Sequence, residues 1–136
     1  MLGGNTPVTI WNRLGEKYYR TEVSTLCRCR QKTDLLRSGV GESMVASIVS
    51  SLVFVIPLLD NYLPPFEWQE LEDKTGRFTI KVEDYMAMGL HEYEIGDGGL
   101  TVPKLKQKLP GQFVEIKAVG YNLYAHLGKH IRAWGV

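Results

Sequence analysis

Two histidines and two cysteines have spacings that metal sites use. His126 and His130 are four residues apart, which would place both on one face of a helix. Gly128 stands between them and the flanking residues favour extended or turned chain, so we interpret them as surface or edge histidines. Cys27 and Cys29 would share one face of a strand, where a disulfide is geometrically awkward and zinc lacks a second cysteine pair. We predict two reduced, partly buried thiols in a reducing compartment, and no metal.

The third histidine lies in an acidic segment. His91 is followed closely by Glu92, Glu94 and Asp97, so the segment has the oxygen ligands that a cation requires. Their spacing matches no loop in which oxygens converge on calcium. We therefore interpret the segment as a solvated acidic edge.

The sequence contains no catalytic signature. There is no GxSxG, no HExxH and no Walker-type glycine-rich loop, and the glycines of SGVGES form only GxG. We predict that the chain is not an enzyme and uses no cofactor. Lys104, Lys106 and Lys108 are a candidate interface for phosphate or a partner, although such a run is more often a solvated helix face.

Length and charge limit the classes of protein that remain. The chain has 136 residues, which fits one domain, and 44% of them are hydrophobic. A net charge of +1 argues against a protein that coats nucleic acid, because a basic excess supplies that affinity. The first residues lack the basic and apolar regions of a secretory signal, so we expect none.

Most of the segments that would position these side chains have sequences typical of β-strands. Residues 8–13 give a short strand signal, and residues 18–30 alternate polar and apolar positions over much of their length. With Gly15 as a turn residue between them, they predict an antiparallel hairpin. Residues 51–57, SLVFVIP, predict a buried strand. A membrane span is excluded because the apolar run is too short and is interrupted by serines and Pro57. We expect a soluble protein without membrane contact.

The remaining segments predict short elements. Pro64-Pro65 and Thr101 begin two short helices. Residues 77–83 predict a strand with Phe78, Ile80 and Val82 inward and Thr79, Lys81 and Glu83 outward, followed by a bend and further strands to the end of the chain. Residues 31–50 read as an irregular insertion or loop because Gly39 and Gly41 interrupt them.

The fold class follows from these elements. We predict a mainly β protein: a small antiparallel β-barrel or sandwich with one or two short helices and a long loop. We expect a single domain over residues 1–136.

The ordered segments also resemble a known family. They are VTIWNR, YYRT, FVIP, YLPPFEWQEL, GRFTIKVEDYMAMGLHEYEI, KLKQKLPGQFVEIKAVGYN and AHLGKHIRAWGV. In this order they are similar to small neck proteins of tailed phages and prophages of Gram-positive bacteria, the head-tail stopper or head-closure family. The resemblance covers nearly the whole chain, and each segment alone is weakly specific.

The resemblance implies a structural virion protein of the phage neck, assembled in the host cytoplasm. It would form a homo-oligomeric ring, which we expect to be a hexamer, beneath the portal and its adaptor proteins. The ring would close the channel after DNA packaging, contact packaged DNA at the channel, and join a tail terminator or tail tube protein. The candidate lumenal or partner-contact loop comprises Asp34, Arg37, Gly39, Gly41 and Glu42. Here CRCRQKTDLLRSGVGES replaces the more aromatic, glycine-rich stretch of the family.

Two alternatives remain open at this point. A tail terminator or tail-completion protein would also form a ring, but it usually has larger helices packed on a sheet. A small nucleic-acid-binding β-barrel would require a basic, aromatic-lined face, and the aromatic residues of this chain are scattered between strands.

Overall fold

A computed structural model describes residues 6–23, 28–38, 45–96, 98–122 and 129–136. At positions 28, 30–38 and 45–50 it describes the backbone alone. The elements are, in chain order, β1 (Val8–Leu14), β2 (Lys17–Val23), β3 (Arg28–Ser38), β4 (Val45–Pro57), α1 (Pro65–Gln69), β5 (Tyr85–Met88), α2 (Val102–Lys108), β6 (Phe113–Asn122) and β7 (His130–Gly135).

The seven strands form one antiparallel sheet in the order β2-β1-β5-β6-β7-β4-β3. The prediction of a mainly β, antiparallel protein with two short helices is confirmed. Within the described residues no pairing joins β2 to β3, so the sheet is open and both strands are edges.

Strand β6 carries the sheet around a corner. It pairs with β5 through Phe113–Glu115 and with β7 through Ile116–Asn122, and the register shifts between Ile116 and Ala118. A bulge of this kind bends a strand and increases its twist. The two halves of the sheet therefore face each other, and residues of β1 and β4 meet in one core.

Two apolar cores flank strand β1. Val8 and Ile10 point into the larger core with Phe54, Met86 and other residues of both halves of the sheet. Trp11 points to the opposite face, where it packs in the second core with Leu105 of helix α2 and with Leu109, the C-cap residue of that helix. Because it is covered on both sides, β1 is buried over its first five residues.

The predicted hairpin and the predicted buried strand are both present. Strands β1 and β2 pair in full register, from Val8 with Val23 to Leu14 with Lys17, around Gly15 at φ 64°. A positive φ at this turn position favours glycine. Residues 52, 53, 54 and 56 of β4 are buried, as the apolar run predicted.

The irregular loop expected over residues 31–50 is wrong for the part that is described. Residues 31–38 belong to β3 and residues 45–50 to β4, and each residue of one strand has a partner in the other, from Arg28 with Val55 to Ser38 with Val45. The sequence did not indicate this pairing, because residues 31–50 show no regular alternation of polar and apolar residues. The two strands are defined by their pairing with each other.

Strand β4 is longer than strand β7, with which it pairs on the side away from β3. It pairs with β7 only through Leu52–Pro57, so residues 45–51 pair with β3 alone. We call residues 32–38 and 45–51 the arm. It is a two-stranded extension of the sheet that, among the described residues, pairs only with itself.

The helices are short. Helix α1 begins with Pro65 at its first turn and buries Trp68. Helix α2 is capped by Thr101, whose hydroxyl accepts from the backbone N–H of Lys104. Across the described residues, no helix has the length and apolar character that a membrane crossing requires.

Candidate interaction surfaces

The residues proposed for the lumenal or partner-contact loop divide into two groups. Asp34 and Arg37 lie on strand β3, where they pair with Val49 and Ala46. Their assignment to a loop is therefore wrong, because they belong to the arm. The other three proposed positions, Gly39, Gly41 and Glu42, lie outside the described residues.

The candidate lysine interface lies on helix α2. Lys104, Lys106 and Lys108 are all exposed, while Leu105 is fully buried beneath the helix. The ammonium of Lys108 lies 5.8 Å from the centre of the Tyr93 ring, within range of a cation–π contact. The three lysines thus remain available to a partner.

A buried polar cluster joins β1 to the start of β5. Asp84 is fully buried; its Oδ2 accepts from Asn12 Nδ2 at 2.7 Å, and its Oδ1 accepts from the Arg13 N–H at 3.0 Å and from Lys81 Nζ. Burial raises the pKa of Asp84, against the opposing effects of these three donors. Both oxygens are occupied by groups of the protein, so the cluster is suited to holding the fold rather than to acting on a substrate.

Most of the charged side chains near β2 line two clefts beside that strand. Two shallow clefts of about 520 Å³ and 360 Å³ lie beside the strand. Their lining contains five carboxylates, those of Glu22, Glu72, Asp73, Glu92 and Glu94, and two cations, those of Arg20 and Lys74. We call these seven residues the acidic surface.

Arg20 fixes the shape of the acidic surface. Its guanidinium forms ion pairs with Glu22 and Glu94 and donates to the carbonyl of His91 at 2.9 Å. The indole of Trp11 donates to the carbonyl of Tyr93 at 2.9 Å. These contacts hold the segment after β5 across β1 and β2, which brings Glu92 and Glu94 to the edge of the sheet.

Aromatic rings support the other cleft. The Tyr19 ring packs edge-on against the buried Trp68 at 5.5 Å, and the ammonium of Lys74 lies 5.5 Å from the centre of the Tyr19 ring and 5.2 Å from that of Trp68. Lys74 Nζ also donates to the carbonyl of Leu71 at 2.6 Å. The loop that carries Glu72 and Asp73 is thereby fixed beside β2.

The described histidines and the described cysteine, His91, His130 and Cys29, form no metal-binding group. Throughout the ranges that the structure describes, no three metal-binding side chains are grouped. The ring of His91 lies 2.6 Å from the Met88 carbonyl through Nε2 and stacks on Tyr93. His130 lies on β7, and Cys29 is a free, partly buried thiol whose pKa is raised by burial to about 11. Cys27, Asp97 and His126 lie outside the described residues.

The strand at the other edge of the sheet, β3, is basic. Strand β3 contains Arg28, Arg30, Lys32 and Arg37 against one acidic residue, Asp34. The near-neutral chain therefore carries a basic strand at one edge and an acid-rich surface at the other. Sequence analysis recognised the acidic segment after His91 but did not join it to β2, because that contact spans about 70 residues.

Comparisons with known proteins give a family and no relative of known function. No curated protein matches the chain, and no solved structure matches it. A family model described as a family of unknown function, DUF6751, matches residues 3–136, which is nearly the entire sequence. The chain therefore belongs to the DUF6751 family of proteins of unknown function.

Proposed function

We propose that the chain is a structural protein of the neck of a tailed phage, where copies form a ring that closes the portal channel after DNA packaging and joins head to tail. The ordered resemblance to head-closure proteins supports this proposal. The arm is the structural observation that carries it.

The arm has the properties of an assembly element. A two-stranded hairpin alone in water is marginally stable, and the arm receives no third strand from the described part of its own chain. Its sequence nevertheless contains five large apolar residues, Leu35, Leu36, Val45, Ile48 and Val49. A neighbouring molecule that covers the arm would supply the missing packing.

The distribution of charge also supports a protein-binding role. The acidic surface beside β2 would repel a nucleic-acid backbone, whereas the basic residues of β3 are confined to one strand. In a ring, such a strand meets DNA or protein at one place while the rest of the surface contacts neighbours.

Binding to phage particles tests the proposal. The purified chain would be mixed with DNA-filled, tailless heads and, separately, with free tail tubes of the phage or induced prophage that encodes it. We expect saturable binding of between a few and a dozen copies per head, located by electron microscopy at one vertex. Binding to tail tubes alone would support the tail terminator instead, and binding to neither would overturn the phage assignment.

A further inference from the structure

We propose that the copies assemble head to tail, with the β3 edge of one copy pairing with the β2 edge of the next. This inference rests on the proposed function, because it specifies how the ring is built. The partner at each edge is a second copy of this chain.

The two ends of the sheet provide the pairing groups. Strands β2 and β3 end the strand order, so each has one edge without a strand partner among the described residues. Unpaired N–H and C=O groups along such an edge are a template for a strand of another chain. Because β2 and β3 are different surfaces, pairing between them is heterologous and continues from copy to copy, which produces a ring where the rotation closes.

The lengths of the two segments match. Strand β2 has seven residues, Lys17–Val23, and the part of β3 within the arm also has seven, residues 32–38. At about 3.3 Å per residue, the arm extends about 20 Å beyond the strands that pair with β7. A neighbour can therefore pair with this edge while the rest of the sheet remains intact.

Charge favours pairing between unlike edges. The acidic surface has five carboxylates and two cations, whereas β3 has four cations and one carboxylate. Two β3 edges would place cations against cations, and two acidic surfaces would place carboxylates together, both of which oppose association. Strand β2 itself carries Lys17 and Arg20 against Glu22, so the attraction for β3 of the next copy comes from the loop carboxylates of the acidic surface beside β2. This attraction favours a head-to-tail contact.

Charge reversal tests this arrangement. The acid-reversed variant carries Glu72→Lys and Glu92→Lys, two exposed residues of the acidic surface. The arm-reversed variant carries Lys32→Glu and Arg37→Glu, which pair with Ser51 and Ala46 in the arm. A third protein combines all four substitutions. The matched control carries Asp60→Lys and Glu67→Lys, which are both exposed and do not line either cleft of the acidic surface. Native mass spectrometry reports the assembly of each, and circular dichroism reports its folding.

The expected pattern is specific to head-to-tail pairing. The wild type and the control form rings, and each single-surface variant remains monomeric. An equal mixture of the two variants forms mixed rings in which the variants alternate, because the two native edges attract each other and the two reversed edges do so as well. The four-fold variant forms rings again.

Raising the salt from about 50 mM to about 500 mM should weaken wild-type rings, since the Debye length shortens several-fold. This measurement requires no variant to fold.

Contrary results are equally clear. Rings that survive either reversal and are insensitive to salt would overturn the inference and leave the proposed function standing. A loss of DNA binding without a change in assembly on reversal of the arm would assign β3 to DNA and also overturn it. Rings that follow the charge pattern but do not bind filled heads would retain the interface and overturn the proposed function. A wild type that stays monomeric, with or without heads, would overturn both.

Discussion

Asn12 and Asp84 are both fully buried, and the Asn12 amide donates to the Asp84 carboxylate at 2.7 Å across 72 residues of sequence. The same amide donates to the carbonyl of Thr79 at 2.7 Å, and its oxygen accepts from the Thr79 N–H at 3.1 Å. Asn12 thus joins β1 to the segment that precedes β5. This cluster holds the half of the sheet that carries the β2 edge.

Removing the Asp84 carboxylate should destabilise the protein strongly. In Asp84→Ala, the Asn12 amide and the Arg13 N–H lose a buried acceptor, and Lys81 loses its ion pair. We expect the free energy of unfolding to fall by about 3 kcal/mol. Urea denaturation measures this, with the exposed Asp60→Ala as control, for which a change within about 0.5 kcal/mol is expected. Equal effects of the two substitutions would assign Asp84 no structural role.

Gly135 should tolerate no side chain. A Cβ at this position would lie 2.9 Å from Val114 Cβ and 3.0 Å from the Glu115 carbonyl oxygen, and it would also overlap Val114 Cγ2. We expect Gly135→Ala to lower the free energy of unfolding by about 1–3 kcal/mol through overpacking. At Gly120 the nearest atom, Trp134 Cη2, would be 3.4 Å from the new Cβ, so Gly120→Ala is the matched control. Thermal denaturation that ranks the control below Gly135→Ala would contradict this packing.

Cys29 should react slowly in the folded chain. Burial raises the pKa of its thiol from 9.0 to about 11, so the folded state holds less thiolate near neutral pH. In a Cys27→Ser background at about pH 8, alkylation by iodoacetamide should be roughly 100-fold slower than in the same chain unfolded in urea. Because the folded thiol has the higher pKa, its contribution to stability is present below pH 9 and is lost as the pH rises towards about 11. Equal alkylation rates in the two states would show that Cys29 is not shielded.

The arm should be dispensable for folding and necessary for assembly. Residues 33–50 would be replaced by Asn-Gly, which forms a tight hairpin turn after the Lys32–Ser51 pair. We expect the free energy of unfolding to stay within about 1 kcal/mol of the full chain, because a free hairpin adds little stability. Native mass spectrometry should show monomers in place of rings. Rings of normal stoichiometry formed by the shortened chain would remove the arm from the interface.

The sequence predicted elements whose signals are local. Gly15 between a short strand signal and an alternating segment indicated the β1–β2 hairpin, and Thr101 followed by Pro103 indicated the start of α2. The buried strand over residues 51–57 followed from its apolar run. In each case a turn residue, a helix cap or an apolar run lies within or next to the element itself, so the element can be predicted without knowledge of any distant contact.

The strand predicted over residues 77–83 is wrong, because Phe78 forms only an isolated bridge with Tyr62 and the rest of the segment belongs to no strand. Phe78 and Ile80 are buried as predicted, but Val82, expected inward, is 48% exposed, and Thr79, expected outward, is fully buried. Glu83 adopts φ 78°, so the chain turns at Val82–Glu83 and alternation ends there. A positive φ at glutamate is sterically unfavourable and carries no sequence signal.

The candidate surfaces could be predicted only in part. Sequence analysis selected Asp34 and Arg37 as partner contacts, and this remains a prediction although both lie on a strand. The acidic surface requires Glu72 and Glu92 to approach β2 from two separate loops. Contacts of that range depend on the fold as a whole, so no local pattern indicated them.

Retention of packaged DNA tests the proposed function most directly. Filled heads from particles that lack the chain would be incubated with the wild type, with the arm-shortened variant, or with buffer, and DNA release would be followed by the fluorescence of an intercalating dye. We predict that the wild type retains the DNA while the shortened variant and buffer release it at the same rate. Release from heads treated with the wild type at the rate seen in buffer would contradict closure of the channel by this protein.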